Sequence, residues 1–282
     1  MTSRYISQRL GFALLFLASL AVVLPILAVI AIVVIRGLPA INWEFLTAMP
    51  RNGMTEGGIF PAIVGTILLT LGTAAASIPV GIGGAVYLAE YAPDNGLTRA
   101  IRLAIVNMAG IPSVVYGLFG LGLFVLFLQF GTSIIAGSLT LAIMTLPVII
   151  STSEEALRAV PVEFRTVSAS LGGTRWQGIW RIVLPQALPG VITGVLLGLL
   201  RAAGETAPIL FTVVAFYLPA LPRTLSGQTM ALPYHLYVVS TQVPGMPEQV
   251  QFGTALVLIT LVLSLNVLAT ATRRRFRRSR QW

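Results

Sequence analysis

Long apolar stretches alternate with short polar segments along this chain of 282 residues. A helix that crosses a membrane needs roughly 20 consecutive apolar residues, and several uncharged runs reach that length. The longest run, residues 103–153, is too long for one helix and contains a polar break at residues 129–133, so it predicts two spans. In all, the pattern predicts six membrane-spanning helices, which lie at about residues 11–35, 60–88, 103–128, 134–153, 187–217 and 251–272.

The composition supports a membrane protein, because 56% of the residues are hydrophobic and only 10% are charged. Soluble domains carry about 25% charged residues, so the water-soluble class is excluded. The first apolar run is too long for the core of a secretory signal, which spans about 7–15 residues, and we expect it to remain as a helix. The sequence thus predicts an all-α polytopic membrane protein with an N-terminal helix and outer loop at 1–56 and a core membrane domain at 57–282.

Basic residues are distributed unevenly between the two sides of this six-span arrangement. All 18 of them are arginines, and fourteen fall on the side that carries both termini and the polar segment 153–185. Arg36, Arg51 and Arg223 fall on the other side. Because positively charged loops stay in the cytoplasm, both termini and the segment 153–185 are predicted to be cytoplasmic. The basic tail at 273–280 then anchors this orientation and attracts anionic lipid, and no nucleic-acid partner is expected.

Several chemistries are excluded by residues that the sequence lacks. Without lysine it cannot form the phosphate-binding loop of P-loop ATPases or a Schiff base. Without cysteine it cannot form a thiolate zinc site or an iron–sulfur cluster. The single histidine, His235, is expected to be packed or solvated, since a histidine zinc site needs further ligands nearby. The sequence shows no nucleophile–base pair, which disfavours a membrane enzyme.

The polar segment 153–185 predicts two short helices between membrane spans. Pro161 begins the first helix, where its missing N–H costs little, and Gly172 and Gly173 end it. A capping box that starts at Thr174 begins the second. On these features alone, the segment fits equally well a hairpin on the membrane surface and a docking helix for a soluble partner.

Apolar residues of this segment follow helical spacing. Phe164, Val167 and Leu171 are predicted to share one face of the first helix. Pro185 and Pro189 are predicted to close the second helix and to begin the fifth span. The second helix is predicted to carry one apolar stripe, formed by Trp176, Ile179, Trp180 and Val183.

Two pairs of opposite charge have a spacing of four residues, which places the members of each pair on one helix face. Glu154 and Arg158 lie at the solvated end of the fourth predicted span. Arg201 and Glu205 lie near the middle of the fifth, where charges are costly unless paired or hydrated. They either compensate each other or lie on the path of a solute. The solute path is favoured, because a purely structural site would do as well with two apolar residues.

Arginine is the residue expected to bind an oxyanion such as phosphate, because its planar guanidinium can donate two parallel hydrogen bonds. In that case Glu205 either holds Arg201 in place or repels the anion so that it does not remain bound.

Small and kinking residues are frequent inside the spans. Glycines of the second and third spans are expected to serve close helix packing. Prolines inside spans are expected to kink their helices, as hinges or as static bends, and these are Pro79, Pro112, Pro147 and Pro208.

The C-terminal half of the segment 153–185 resembles the cytoplasmic loop of ABC-importer permeases. Gly172 is followed, after nine residues, by the string IVLP at 182–185, which fits the G-x9-I-x-L-P pattern of that family. In the family this loop forms a coupling helix that is seated on an ATP-binding subunit. The Glu-Ala-Ala of the family falls here on Thr-Val-Ser at 166–168, so this half departs from the pattern. The resemblance implies that the coupling residues are Glu163, Phe164, Arg165, Val167, Ser168, Leu171, Gly172, Gly173, Thr174 and Trp176.

The string RAAGETAP at 201–208 and the stretch 57–93 resemble phosphate-transport permeases of the PstA type. This resemblance implies a type I ABC importer permease fold in a bacterial inner membrane, with Arg201 and Glu205 on the substrate path. It also implies a second, PstC-like permease subunit, a dimer of ATP-binding subunits, an outer phosphate-binding protein and membrane lipid as partners. The chain itself is expected to bind no cofactor, because ATP is bound by the partner subunit.

Two other functions remain open at this stage. An ABC permease for another oxyanion, such as molybdate or sulfate, would share the same features. A stand-alone secondary transporter is less consistent with the sequence, because transporters of that kind often contain inverted repeats and no internal repeat is visible. The outer loop at 218–250 is long enough to hold short helices and to meet a binding protein.

Overall fold

The computed structural model describes residues 2–170 and 172–278, and most of them are helical. The helices are α1 (Thr2–Gly37), α2 (Trp43–Thr47), α3 (Phe60–Val86), α4 (Gly96–Met108), α5 (Ser113–Gly120), α6 (Ile134–Arg158), α7 (Val162–Ser170), α8 (Arg175–Gly178), α9 (Leu184–Gly204), α10 (Ala207–Thr212), α11 (Leu232–Thr241) and α12 (Glu248–Arg278). Wider π-helical stretches follow α3, α5 and α8, at Tyr87–Tyr91, Leu121–Phe127 and Ile179–Val183. Short 3-10 turns lie at Leu38–Ala40 and Asn52–Met54, and a two-residue antiparallel pair joins β1 (Pro50–Arg51) to β2 (Glu56–Gly57).

Membrane-length helices dominate the fold. Five helical runs in the described residues are long and apolar enough to cross a membrane, and these are Gln8–Ala40, Phe60–Tyr91, Ile134–Arg158, Arg175–Gly204 and Glu248–Leu268. A sixth apolar run consists of α4 and Ser113–Phe127, which meet at a bend of 103°. The prediction of an all-α protein with six spans is thus confirmed when the bent pair counts as one broken span.

The prediction of one continuous helix for the third span is wrong. We expected one helix over residues 103–128, whereas α4 begins at Gly96 and the chain turns sharply after Met108. Pro112 explains the break, since proline has no N–H to continue the ladder and biases the preceding residue away from helical geometry. The Tyr116 hydroxyl donates to the Met108 carbonyl at 2.7 Å, which ties the start of α5 to the end of α4.

The fifth predicted span is also different from what the sequence suggested. The helical run does not close at Pro185 and Pro189 but continues through both of them to Gly204. The π-helical stretch just before Pro185 changes the hydrogen-bond register there, and prolines inside membrane helices are tolerated when such local adjustments satisfy the backbone. The predicted end at residue 217 is wrong as well, because Glu205 has an extended backbone and a separate short helix, α10, follows.

Close packing of α3, α6 and α9 forms the centre of the bundle. Small residues allow it: a Cβ added to Gly72 would overlap the Ser138 side chain, and one added to Gly81 would lie 2.6 Å from the Ile149 side chain. A Cβ on Gly65 would collide with the Met230 carbonyl. The prediction that glycines of the second span serve close packing thus holds for Gly65, Gly72 and Gly81, whereas a Cβ on Gly83 would meet nothing within 4 Å.

The bundle has two distinct ends, and α3 reaches both of them. At the loop end, which comprises residues 87–91 and 158–183, an apolar cluster surrounds Val86, Leu157 and Ile179. At the opposite end, a second cluster includes Phe45, Met54, Leu232 and Val238. The outer loop at 218–250 does hold a short helix, α11, as the sequence predicted.

The first helix lies at the edge of this bundle. It packs along α12, and its apolar side chains from Leu10 to Ile32 are largely exposed. Such a surface is suited to contact with lipid or with another membrane subunit.

Candidate coupling loop and charged pair

The short helix α7 is built as the sequence predicted. It begins directly after Pro161 and ends before Gly172, whose φ of 72° lies in the left-handed region that favours glycine. The Gly173 N–H donates to the Ser168 carbonyl at 2.9 Å. Leu171, predicted on the apolar face, lies outside the described residues.

The second helix begins with the predicted capping box. The Thr174 hydroxyl accepts from the Gln177 N–H at 3.3 Å, and the Gln177 side chain accepts from the Thr174 N–H at 3.0 Å. Both orphan donors at this helix start are therefore satisfied within the loop.

The two helices of the loop pack against each other at Ser168. A Cβ added to Gly178 would lie 2.9 Å from the Ser168 hydroxyl, and one added to Gly173 would lie 2.8 Å from the same atom. Ser168 therefore lies between the two helices, so that residues 162–170 and 172–183 form one compact unit. We refer to this unit as the coupling loop, after the family loop that it resembles.

The predicted apolar face of α7 is divided between the interior and the surface. Phe164 is half-buried and packs against the cluster that contains Val160 and Ile179, whereas Val167 is exposed. Glu163 is exposed as well. The exposed side chains of Val162, Glu163 and Val167 thus form a surface that a partner could contact.

The apolar stripe predicted on the following helix is wrong as a single face. Ile179 and Val183 are buried, whereas Trp176 and Trp180 are exposed and lie with their ring centres 5.3 Å apart. The two rows are about 60° apart on a helix with 3.6 residues per turn, and the boundary between interior and surface passes between them. The tryptophan pair is a second exposed apolar part of the loop.

Arg165 points into the protein rather than toward a partner. Its Nη2 lies 2.8 Å from Oε1 of Glu90, and its Nε lies 3.2 Å from both oxygens of that carboxylate. It also donates to the carbonyl of Val160 at 2.6 Å and to that of Leu157 at 2.9 Å. The Glu90 side chain is only 6% exposed, so α7 is bound to the end of the second span through a buried ion pair.

Three further arginines converge on the same place. The Nη2 atoms of Arg102 and Arg158 donate to the Leu88 carbonyl, at 2.9 Å and 3.5 Å, and Nη2 of Arg175 donates to the Glu90 carbonyl. Cations are favoured beside the free carbonyls at a helix C-terminus. We refer to these residues as the arginine cluster, which consists of Arg102, Arg158, Arg165 and Arg175.

The predicted pair of Glu154 and Arg158 is confirmed and belongs to this cluster. Oε1 of Glu154 accepts from Arg158 at 3.0 Å and from Arg102 at 2.8 Å. Sequence spacing revealed the first contact but not the second, because Arg102 is 52 residues away along the chain. Glu90 was missed for the same reason. One feature of the sequence could have identified Glu90. It is an isolated acid at the end of an apolar run, in the string YLAEYAP.

Arg201 and Glu205 are in contact, but not within a continuous helix. Arg201 lies in the last turn of α9, and Glu205 follows the end of that helix. The Arg201 Nε lies 3.4 Å from Oε1 of Glu205, and the two side chains are 35% and 18% exposed. Within residues 2–170 and 172–278, the two terminal nitrogens of Arg201 find no acceptor.

Arg201 and Glu205 lie at the end of α9 rather than within a continuous helix, and α9 begins at the loop end of the bundle. Glu205 lines a small cavity together with Thr66 and Thr70, which are the seventh and eleventh residues of α3. Glu90 follows Thr66 by 24 residues on the same helical run, or roughly 35 Å at the rise of an α-helix.

His235 is packed, as one of the two predicted alternatives. It is 3% exposed, and its Nδ1 has no hydrogen-bond partner among the described residues. Burial lowers the pKa of His235 to about 4. The part of the chain that the structure describes contains no group of three or more potential metal-ligating side chains.

The membrane bundle, the compact loop bound to its end and the charged pair define the membrane component of a transport system. Over residues 77–279 the chain matches the family described as "Binding-protein-dependent transport system inner membrane component", and it belongs to that family. Its fold is that of a type I ABC importer permease. Proteins of this class are transport subunits rather than enzymes, and they act with a partner permease and separate ATP-binding subunits.

Among curated proteins, the chain is 34% identical to a phosphate transport system permease protein PstA of Mycobacterium leprae, over 96% of this chain and 90% of that protein. It is 33% identical to a probable PstA of Methanocaldococcus jannaschii, over 94% and 93%. It is 31% identical to the probable ABC transporter permease protein YqgI of Bacillus subtilis, over 95% of each chain.

Solved structures support the fold. A chain of a bacterial ABC transporter involved in the import of alginate superposes with a TM-score of 0.68 and 15% identity, over 93% of this chain and 95% of that one. A chain of the inward-facing MetNI methionine ABC transporter gives a TM-score of 0.62 and 18% identity, over 76% and 94%. At such identities the likeness concerns the fold alone.

Proposed function

We propose that this chain is a membrane-spanning permease subunit of an ATP-driven phosphate importer. The observation that carries the proposal is the Arg201 guanidinium, which Glu205 holds through Nε and whose two terminal nitrogens have no acceptor among the described residues. Two parallel N–H donors fit two oxygens of a tetrahedral oxyanion. The similarity to relatives that are named as phosphate transport permeases selects phosphate among such anions.

Glu205 has a further role in this proposal. As an anion beside the guanidinium, it orients Arg201 and also weakens the attraction for a second anion. A transport site must release its cargo as well as bind it, so a partly compensated arginine is better suited to it than an isolated one.

The partners follow from the two ends of the molecule. The arginine cluster and the coupling loop lie in the cytoplasm, together with both termini, in accordance with the positive-inside rule. The exposed surface of Glu163, Val167 and Trp176 contacts an ATP-binding subunit, where ATP is bound. A PstC-like permease completes the path across the membrane, and a phosphate-binding protein docks at the opposite end.

The proposal is tested by phosphate uptake in cells that carry Arg201→Ala, with Arg223→Ala as the control. Arg223 is exposed in the outer loop, so its removal takes away an equal charge without touching the pair. We expect uptake to fall on the order of tenfold to a hundredfold for Arg201→Ala, the range for lost charge-assisted hydrogen bonds, and to stay normal for Arg223→Ala. Normal uptake by Arg201→Ala, in a complex that still assembles, would contradict a role in the path.

A second candidate is an ABC permease for another oxyanion, since molybdate and sulfate offer the same oxygen geometry to Arg201. Competition in the uptake assay separates the two. Phosphate uptake that is insensitive to excess molybdate and sulfate supports the phosphate importer, whereas strong inhibition by either anion supports this alternative. Transport by the purified chain alone in liposomes, without ATP, would instead indicate a secondary transporter.

A further inference from the structure

Arg165 and Glu90 connect the coupling loop to a membrane-spanning helix through several hydrogen bonds. Arg165 uses Nε, Nη1 and Nη2, and all of its acceptors are buried or part-buried atoms of Glu90, Val160 and Leu157. Removal of one partner of such a pair leaves an uncompensated buried charge, which is strongly unfavourable. The loop therefore cannot move far from the end of α3 without breaking this pair.

The helical run that carries Glu90 reaches the charged pair at the opposite end. It extends from Phe60 to Tyr91 without a sharp break, and its residues Thr66 and Thr70 line the cavity beside Glu205. The run contains Pro79, which was expected to kink it, but no sharp break interrupts it. Close packing along the run limits how much of a displacement at one end can be absorbed before it reaches the other end. The same run packs along α6 and α9, and α9 carries Arg201.

We propose that Glu90 is a positioning residue that transmits the movement of the coupling loop, through Arg165, to α3 and thus to the substrate path. The proposal rests on the proposed function in one respect, which is that ATP-binding subunits move the loop. Arg165 acts in it as an inward connection, whereas the exposed side chains around it make the contact with the partner.

The first test measures how tightly α7 is connected to α3. The chain has no cysteine, so Val80→Cys and Val162→Cys provide two unique labelling sites, both with exposed side chains on α3 and α7. In the assembled transporter, we expect a narrow distribution of spin-label distances in the parent and a clearly broader one in Glu90→Gln. Asp94→Asn is the matched control, since it removes an exposed ion pair, with Arg99, at the same end.

The second test measures coupling itself. In Glu90→Gln, phosphate uptake per ATP hydrolysed should fall about tenfold, within the range of coupling energies between contacting residues. The ATP-binding subunit should still co-purify, because the exposed surface is unchanged. Glu90→Asp, which keeps the charge, should restore part of the uptake.

The double variant, which combines Glu90→Gln with Arg165→Gln, distinguishes a positioning role of Glu90 from an effect on the stability of the protein. It leaves no unpaired buried charge, so it should assemble even if the single variants do not. We expect it to remain uncoupled and to show the broad distance distribution. A narrow distribution and normal uptake per ATP in the double variant would overturn the proposal.

A wrong substrate assignment would give a result different from that of a wrong role for Glu90. If phosphate is not the substrate, the parent itself transports none, while the distance distributions of the parent and of Glu90→Gln still differ. The inference then stands without the substrate assignment.

Discussion

Gly172 fixes the turn between the two helices of the coupling loop. Its φ of 72° is unfavourable for residues with a Cβ, although a Cβ there would meet no atom within 4 Å. We expect Gly172→Ala to destabilise the loop by about 1 kcal/mol and Gly172→Asn to cost less, since asparagine tolerates this conformation. Limited proteolysis of the loop in the purified protein measures the difference. Equal protease sensitivity of the two variants would contradict a conformational cause.

His235 makes the stability of the protein dependent on pH. Its pKa is near 4 in the folded protein and about 6.5 in an unfolded chain. As the pH falls from 6.5 to 4, the unfolded chain binds a proton that the folded protein does not, so stability is complete above 6.5 and is lost across this window. The loss should amount to about 3 kcal/mol.

The measurement is thermal unfolding in detergent at pH 7.5 and at pH 4.5, for the parent and for His235→Gln. The parent should lose more stability than the variant between the two pH values. An identical loss in both would show that other groups, and not His235, cause the pH dependence.

At this scale, the sequence revealed the contacts that are local. The capping box at Thr174, the turn at Gly172 and the pair of Glu154 with Arg158 each join residues at most five positions apart, so local helix and turn geometry determines them. Glu90 and Arg165 are 75 residues apart. Nothing in the spacing of a single sequence indicates which acid lies beside which arginine at that separation.

The second span illustrates how a single element depends on its small residues. A Cβ on Gly65 would collide with the Met230 carbonyl, whereas one on Gly83 would meet nothing within 4 Å. We expect Gly65→Ala to destabilise the protein by about 1–3 kcal/mol, as for overpacking, and Gly83→Ala to be neutral or stabilising, since alanine is the better helix former. Thermal unfolding of the two purified variants is the comparison. Similar melting temperatures would disprove the close approach at Gly65.

Where helices end was harder to predict than where they exist. The apolar runs correctly indicated the spans, because the hydrophobic requirement of a membrane is strong. The break at Pro112 and the continuation through Pro185 could not be distinguished in advance. Both are prolines in apolar surroundings, and neighbouring residues determine whether the helix breaks or passes through.

The orientation of the whole molecule is tested with a matched pair of substitutions. Thr55 and Thr166 are both exposed, and each hydroxyl bonds only to a carbonyl three residues earlier, at 2.8 Å. In intact spheroplasts, a membrane-impermeant maleimide should label Thr55→Cys at once and Thr166→Cys only after the membranes are dissolved in denaturing detergent. Labelling of Thr166→Cys but not Thr55→Cys in intact spheroplasts would reverse the proposed topology.

For the charged pair, the sequence predicted the contact between the two residues but not where the helix ends. Arg201 and Glu205 were correctly expected to meet, because they are four residues apart. The end of the helix between them was not expected, because its position depends on how α9 and α10 pack against α3 and α5.

The peripheral position of α1 has a consequence for biogenesis. Its main neighbour, α12, follows it by some 200 residues along the chain and so leaves the ribosome later. At ordinary rates of synthesis, some 200 residues take on the order of 10–40 s. During that interval α1 is already in the bilayer without α12. Its surface is apolar on every side, so lipid can cover it until α12 is made.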